Sequence, residues 1–214
     1  MARPIVYGPA MSTYVWSARL TLAEKGVAHE LVEVPLGQHL QAPHLSRHPF
    51  GKVPAFEHDG FALYETQAIL RYIDGAFAGP ALRPRDLKEV ARMDQLIGIC
   101  DWYLFPQVGV TIAFQRIVKP LIMGGTPDEA IIAKAIPNAE RCYAVIAGFL
   151  HAPFLTGAQV SIADLMIACQ MSMLAKTPEC QAIIAKHPPL RDWLARMEAR
   201  PSLQKTDLLP RKAA

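Results

Sequence analysis

The sequence predicts a small α/β domain with a mixed four-stranded sheet, followed by an all-helical domain. Two observations in the 214 residues predict this division. Up to residue 78, short apolar runs of strand length alternate with segments of helical spacing, and beyond residue 87 only helical spacing is found. A polar segment rich in proline and arginine lies between the two regions. We therefore expect a first domain at 1–78, a linker at 79–87 and a helical domain at 88–214.

The elements of the first domain follow from apolar spacing and turn residues. A strand, a helix and a second strand in succession indicate a parallel pair joined by a right-handed crossover. Two further strands flank Asp59-Gly60, a dipeptide typical of β-hairpins, and add antiparallel pairs to the sheet. The predicted elements are a strand at 4–8, a helix at 13–25, strands at 29–34, 53–56 and 61–63, and a helix at 65–77, with an irregular segment before the third strand.

Composition excludes several classes of protein. With 51% hydrophobic residues and a net charge of +3, disorder cannot be the dominant state. The charges form no stripe that would indicate a nucleic-acid surface. The longest uncharged stretches are interrupted by proline, glycine and polar residues, so we expect no membrane span, and we expect no signal peptide. Four cysteines without a CxxC motif predict buried thiols in the cytoplasm.

Two histidines are candidate metal ligands. His44 and His48 have the i, i+4 spacing that can place two ligands on one helix face. No cysteine or carboxylate completes a ligand set around them, so we expect no metal.

Three places in the first domain combine chemistry with position. Ser12 follows the first strand, at the edge where ligands of α/β sheets bind, although a simple helix cap is the alternative. Glu65-Thr66 opens a helix, where the free N–H groups and the hydroxyl suit a carboxylate and Glu65 suits an ammonium group. The alternative is an ordinary helix cap. If the Val53–Pro54 peptide bond is cis, the backbone of Val53 is free to pair with a bound peptide.

One sharp signal in the second half concerns stability. Ser161 and Asp164 have the spacing of a capping box, in which each side chain bonds the backbone N–H of the other. Val160 and Leu165 have the spacing of a hydrophobic staple around the same helix start. We interpret Asp164 as a structural residue and not as a catalytic one.

The stretches 45–57 and 63–69 resemble the glutathione transferase family, most closely its phi class and the bacterial relatives of that class. The likeness runs over roughly the first eighty residues, and the capping box also matches the family. The resemblance implies a thioredoxin-like first domain, a helical second domain and a homodimer. It also implies glutathione as co-substrate, with no tightly bound cofactor.

Carried over position by position, the resemblance implies roles for seven residues. These are Ser12 as the catalytic serine, His39 and Lys52 at the glycine end of glutathione, Val53 as the backbone clamp beside cis Pro54, and Glu65 with Thr66 at the γ-glutamyl head group. Relatives usually carry a basic residue where this chain has Leu40, which leaves its effect on glutathione binding open. Thr13 and Tyr7 remain alternative partners of the sulfur, and we favour strand core for Tyr7.

The implied chemistry is attack by a thiolate on an electrophilic carbon. A hydrogen bond from Ser12 to the sulfur, together with the nearby helix N-terminus, would favour the charged form and lower the thiol pKa from about 8.5 to about 6–7. The second substrate is expected against Met11, Trp102, Phe105 and Phe114, although helical core is the alternative for the three aromatic residues and the one that we favour for most of them. We also expect a partner-subunit contact at Phe50, for which local core is the alternative. Alternative functions on this scaffold are a glutathione-dependent dehalogenase or isomerase, or a non-catalytic binder of glutathione or hydrophobic ligands.

Overall fold

The computed structural model describes residues 2–207 of the chain. It divides into two compact units. The first unit extends to Leu82 and includes the segment that begins at Ala199, and the second unit is Arg83–Glu198. The boundary at Leu82 lies inside the linker expected at 79–87.

The first unit contains the predicted mixed sheet. Its strands are β1 (Ile5–Tyr7), β2 (Glu30–Val32), β3 (Ala55–His58) and β4 (Phe61–Tyr64), in the spatial order β2-β1-β3-β4. The first pair, β1 with β2, is parallel, whereas β3 is antiparallel to both β1 and β4. The fold class expected from the sequence, a thioredoxin-like domain followed by a helical domain, is confirmed.

Strand β3 begins two residues later than predicted. Ala55 is its first paired residue and lies opposite Tyr7 on one side and Tyr64 on the other. The reason is Pro54, which has no N–H to donate to a sheet and therefore precedes the ladder.

The two faces of the sheet are covered differently. Val6 is fully buried, and its neighbours in the strand point to the opposite face. The long helices of this unit are α1 (Thr13–Glu24) and α3 (Thr66–Ala76), which pack against each other. On the other face, Tyr7, Val34 and Ala55 form a small apolar cluster.

The segment predicted as irregular contains a 3-10 helix, Gln38–Leu40, and the four-residue helix α2 (His44–Arg47).

The second unit contains five helices among its described residues. They are α4 (Leu87–Met123), α5 (Glu129–Ala147), α6 (Ile162–Leu174), α7 (Pro178–Ala185) and α8 (Pro188–Glu198). All thirteen residues of α6 are buried, so this helix is the centre of the unit. Within α4 the stretch Cys100–Val118 is a π-helix that contains Pro106.

By length and composition alone α4 is long and apolar enough to cross a membrane, although the sequence predicted no membrane span. An 18-residue window in it has a mean hydropathy of 1.4. The core helix of a helical domain passes the same test, and α4 packs against α5 and α6 in this unit. Its buried side chains include Met93, Leu96, Leu104 and Val108.

The helical domain expected over 88–214 is shorter in the structure, because the last described helix, α9 (Pro201–Thr206), belongs to the first unit. The buried indole of Trp16 in α1 donates a hydrogen bond to Thr206 Oγ1 at 2.9 Å. Arg200 donates two hydrogen bonds of 2.7 Å to the Glu24 carboxylate at the other end of α1. These contacts hold α9 on α1. Residues 208–214 of the expected domain lie outside the described part of the chain.

The capping box of α6 is present as predicted. The Ser161 hydroxyl oxygen accepts from the backbone N–H of Asp164 at 3.4 Å, and Asp164 Oδ2 accepts from the N–H of Ser161 at 2.9 Å. Asp164 Oδ1 also accepts from Leu155 N and from Trp193 Nε1, both at 2.9 Å. Burial raises the pKa of Asp164, and these hydrogen bonds oppose the rise. The geometry is that of a structural residue.

Candidate functional site

Ser12 lies at the carboxyl end of β1, as the N-cap of α1. Its side-chain oxygen accepts from the backbone N–H of Val15 at a long 3.4 Å, and its carbonyl accepts from Trp16 N at 2.8 Å. The residue is half-buried. Because a hydroxyl donates once and accepts twice, this cap leaves the O–H proton for a ligand. The two interpretations made from the sequence, helix cap and hydrogen-bond donor, are therefore compatible.

The alternative sulfur partners have other surroundings. Tyr7 donates its hydroxyl proton to Glu57 Oε2 at 3.1 Å, and the Arg47 guanidinium lies 4.3 Å from the centre of its ring. Burial, followed by the hydrogen bond to Glu57, raises the pKa of Tyr7. The side chain is 7% exposed and belongs to the apolar cluster, as expected for strand core. Thr13 is buried in the first turn of α1.

Glycine at position 8 brings the Ser12 loop against the segment of Val53. A Cβ built on Gly8 would lie 2.5 Å from Val15 Cγ2 and 3.1 Å from Val53 Cβ. The same glycine has a φ of +151°, which side chains rarely adopt. Any larger residue would push the loop away from Val53. The start of α1 and the proposed clamp are therefore neighbours in one unit.

The clamp segment, Val53-Pro54, has the cis peptide bond that would free the backbone of Val53 for a ligand. The Val53–Pro54 peptide bond is cis, and Pro54 is buried while Val53 is half-buried. None of the described backbone hydrogen bonds uses the N–H or C=O of Val53. These groups have the unpaired character of a sheet edge, which is what an added peptide strand pairs with.

Glu65 is held in an unusual backbone conformation. Its φ is +70° and its ψ is 113°, a region that non-glycine residues rarely occupy. It is the N-cap of α3, yet its side chain makes no capping hydrogen bond and is exposed. Thr66 follows as the first residue of that helix and is half-buried. A strained residue whose carboxylate is not used by the fold is typical of a ligand site. Sequence periodicity carries no signal for this strain.

His39 and Lys52 are brought together by Gly51. A Cβ on Gly51, where φ is +57°, would lie 2.9 Å from Leu40 Cδ2 and 3.3 Å from the His39 carbonyl. His39 Nδ1 accepts from Gly37 N at 3.1 Å, which places the ring proton on Nε2 as a free donor. Lys52 is exposed. Leu40 is 60% exposed and adds no charge.

His44 and His48 are structural parts of this region that sequence reasoning considered only as metal ligands. Each is 2% exposed, and their rings stack with centroids 6.4 Å apart. His44 Nε2 lies 2.8 Å from the carbonyl oxygen of Lys52 and so holds the residue before the clamp. Burial lowers the pKa of His48, while Glu65 opposes this. Among residues 2–207 no group of three or more His, Cys, Asp or Glu side chains is arranged to hold a metal ion.

The remaining predicted contacts lie on the surfaces of the two units. Phe50 is 70% exposed, so the local-core alternative does not hold, and its ring meets Tyr64 edge-on at 6.4 Å. In the helical unit Trp102 is 75% exposed, while Phe105 and Phe114 are half-buried, as is Met11 in the first unit. Their roles stay predictions.

The cysteines are buried free thiols, as expected. All four lie in the helical unit, and burial raises the pKa of Cys100, Cys142 and Cys180. A raised pKa keeps a thiol protonated and unreactive. The chain itself therefore offers no activated thiol beside Ser12.

Comparison with known proteins agrees with this geometry. Family models described as the glutathione S-transferase N-terminal domain and C-terminal domain match residues 6–81 and 129–196. A rice protein described as probable glutathione S-transferase GSTF2 (Oryza sativa subsp. japonica) is 30% identical over 217 residues, with 100% of both chains covered.

Two solved structures extend the similarity to the backbone. Glutathione transferase F7 from Populus trichocarpa is 32% identical with a TM-score of 0.85, over 95% of this chain and 97% of that one. Glutathione S-transferase I from maize, solved with an atrazine glutathione conjugate, is 28% identical with a TM-score of 0.84, over 96% of each chain. The resemblance to the phi class is confirmed, and the chain belongs to the glutathione S-transferase family.

Proposed function

We propose that this protein transfers the thiolate of glutathione to small hydrophobic electrophiles, with Ser12 as the residue that stabilises the sulfur anion. The observation that carries the proposal is the packing of the Ser12 loop against Val53 across Gly8. It puts a hydroxyl at a helix N-terminus beside a backbone that is free to pair with a peptide. A cysteinyl residue paired with Val53 would present its sulfur to that hydroxyl.

For this reaction the protein needs to lower the pKa of the glutathione thiol. A thiol with a pKa of about 8.5 is mostly protonated at neutral pH. A hydrogen bond to a charged group contributes about 1.5–3 kcal/mol, which lowers the pKa by roughly one to two units, and a helix N-terminus contributes about 0.3–1 kcal/mol more. The proton leaves to solvent, the sulfur forms a bond to the electrophilic carbon, and a leaving group such as halide departs with its electron pair.

The rest of the tripeptide fits the other residues of the first unit. Glu65 offers a carboxylate to the α-ammonium group, because the fold does not use it. Thr66 and the free N–H groups at the start of α3 suit the α-carboxylate. His39 Nε2 and the Lys52 ammonium suit the glycine carboxylate. Leu40 leaves this end with one charge fewer than in relatives, so glutathione affinity should depend strongly on Lys52.

The proposed dimer contact, substrate contacts and cellular role rest on the exposure of side chains and on the family. Phe50 projects from the first unit as a large exposed ring, which suits insertion into a pocket of a second copy in a homodimer. Met11, Trp102, Phe105 and Phe114 are proposed contacts of the hydrophobic substrate. We propose a cytoplasmic protein with a detoxifying role and no resident cofactor.

Replacing Ser12 tests the proposal directly. In Ser12→Ala, turnover of an aryl halide with glutathione should fall about 10- to 100-fold, because the hydrogen bond to the thiolate is lost. Retention on glutathione resin should persist, since Glu65, Thr66 and Val53 are intact. Thr13→Ala serves as the matched control, with the neighbouring hydroxyl removed.

Each other outcome has a defined meaning. Unchanged turnover in Ser12→Ala would move the donor to Thr13 or Tyr7. A native protein that binds the resin but conjugates no electrophile would be a non-catalytic binder. Release of halide without a stable conjugate would indicate the dehalogenase alternative.

A further inference from the structure

The loop that carries Ser12 is tied to the carboxyl end of β2. Gly8 N donates to the Val32 carbonyl at 3.1 Å, where the loop leaves β1. One residue beyond the end of β2, both carboxylate oxygens of Glu33 lie 3.1 Å from the backbone nitrogen of Ala10. Ser12 N then donates to the Pro9 carbonyl at 2.9 Å and closes the turn. The tip of the loop is thus held by a side chain that directly follows the neighbouring strand.

This tether acts two residues before the hydroxyl. The loop begins with Gly8 in a backbone conformation that side chains rarely adopt, and it continues through Pro9, which has no N–H to donate. The cap bond of Ser12 to Val15 N is long, at 3.4 Å, and does little to fix the side chain. The position of the hydroxyl therefore depends on how firmly the turn before it is held.

We propose that Glu33 is a positioning residue that holds the Ser12 hydroxyl against the sulfur of glutathione. The inference rests on the proposed role of Ser12. The expected effect of Glu33 on the thiol pKa is opposite to the effect of its charge, because a carboxylate near the thiolate should by charge alone raise that pKa. The geometric contribution acts in the opposite direction: the hydrogen bond to Ala10 keeps the donor in place and lowers that pKa. The acceptor oxygen, and not the charge, is what the site needs.

Two variants separate the effect of the Glu33 acceptor oxygen from the effect of its negative charge. Glu33→Ala removes both, and Glu33→Gln keeps an oxygen that accepts from Ala10 N. We expect Glu33→Ala to raise the pKa of bound glutathione by about half a unit to one unit, the size of one hydrogen bond. Its kcat/KM for an aryl halide at pH below that pKa should fall about 3- to 10-fold. Glu33→Gln should stay within about twofold of native, with a thiol pKa equal to or below it.

The matched control is Glu30→Ala, which removes an exposed carboxylate at the start of β2, three residues before Glu33. It should leave the pH profile unchanged. Thermal unfolding checks that every variant is folded, and the KM for glutathione should change little because the groups proposed to bind the tripeptide are intact.

Three results would overturn the inference. They are a thiol pKa that falls in Glu33→Ala, an unchanged thiol pKa, and a loss of turnover with an unchanged pH profile. Ser12→Ala, measured in parallel, distinguishes this failure from failure of the proposed function. If Ser12→Ala raises the thiol pKa and Glu33→Ala does not, Ser12 keeps its role and Glu33 loses its own. If Ser12→Ala leaves the pKa native, the role that the proposed function gives to Ser12 fails, and the donor moves to Thr13 or Tyr7.

Discussion

Two serines cap two helices in this protein, and their surroundings are opposite. Ser161 is 1% exposed, and its hydroxyl donates to Asp164 Oδ2 at 2.6 Å within a closed capping box. Ser12 is half-buried, makes one long bond of 3.4 Å, and has no acidic residue in the first turn of its helix. A hydroxyl whose hydrogen bonds are complete stabilises the fold, whereas one whose O–H is left over is available to a ligand. The comparison predicts that mutations at the two caps have separate consequences.

The largest effect is expected at the closed cap. Asp164→Ala leaves the N–H groups of Leu155 and Ser161 and the indole N–H of Trp193 without their buried acceptor. We expect the free energy of unfolding to fall by about 3–5 kcal/mol, since each unpaired buried donor costs about 1–3 kcal/mol. Urea unfolding measures it, with the exposed Asp192→Ala as control. Equal stability of the two variants would contradict the structural assignment.

The serines themselves sharpen the comparison. Ser161→Ala should lower the free energy of unfolding by about 1–2 kcal/mol and leave the bound thiol pKa native. Ser12→Ala should cost at most about 0.5 kcal/mol, because its hydroxyl is half-buried and lacks a second bond such as the 2.6 Å bond that Ser161 makes to Asp164, and it should raise the thiol pKa. Unfolding and turnover measured on both variants check that one substitution mainly affects stability and the other mainly affects the thiol. If Ser12→Ala were the more destabilising of the two, Ser12 would be mainly a cap.

Backbone strain at Glu65 offers a further separation of stability from binding. Glu65→Gly should raise the free energy of unfolding by about 0.5–1 kcal/mol, because glycine accepts a positive φ. Retention on glutathione resin should weaken, since the carboxylate is lost. Asp59→Gly is the matched control, as Asp59 also has a positive φ, of 48°. Equal weakening of retention in both variants would remove Glu65 from the binding site.

The smallest effect concerns pH. Burial lowers the pKa of His48 below its unfolded value of about 6.5, so the folded state binds the proton less readily. Stability is therefore present above about pH 6.5 and is lost as the pH falls from there towards the folded pKa. His48→Asn should flatten this slope in urea midpoints measured across the range. His151→Asn is the control, and an equally steep slope in His48→Asn would contradict the assignment.

Much of this architecture could be predicted from the sequence because it depends on local signals. Alternating strands, the Asp59-Gly60 hairpin and the Ser161–Asp164 box each have a pattern within a few residues. The resemblance to a family then supplied candidate residues that periodicity alone could not select, such as His39.

What could not be predicted depends on contacts between residues far apart in the chain. The docking of α9 on α1 joins Trp16 to Thr206, which are 190 residues apart. The Glu33–Ala10 hydrogen bonds join residues 23 apart through the pairing of β2 with β1. The positive φ of Glu65 lies at the turn from β4 into α3, and the sequence does not indicate it because the position is not a glycine. Such features follow from the fold and are visible only once it is known.

The central claim is that Ser12 stabilises the sulfur of bound glutathione as an anion. Ultraviolet titration of the thiolate in the binary complex of protein and glutathione measures this without any electrophile. The account predicts a thiol pKa about one to two units below that of glutathione in solution, and a return towards the solution value in Ser12→Ala. A bound thiol that titrates as it does in free glutathione would contradict it.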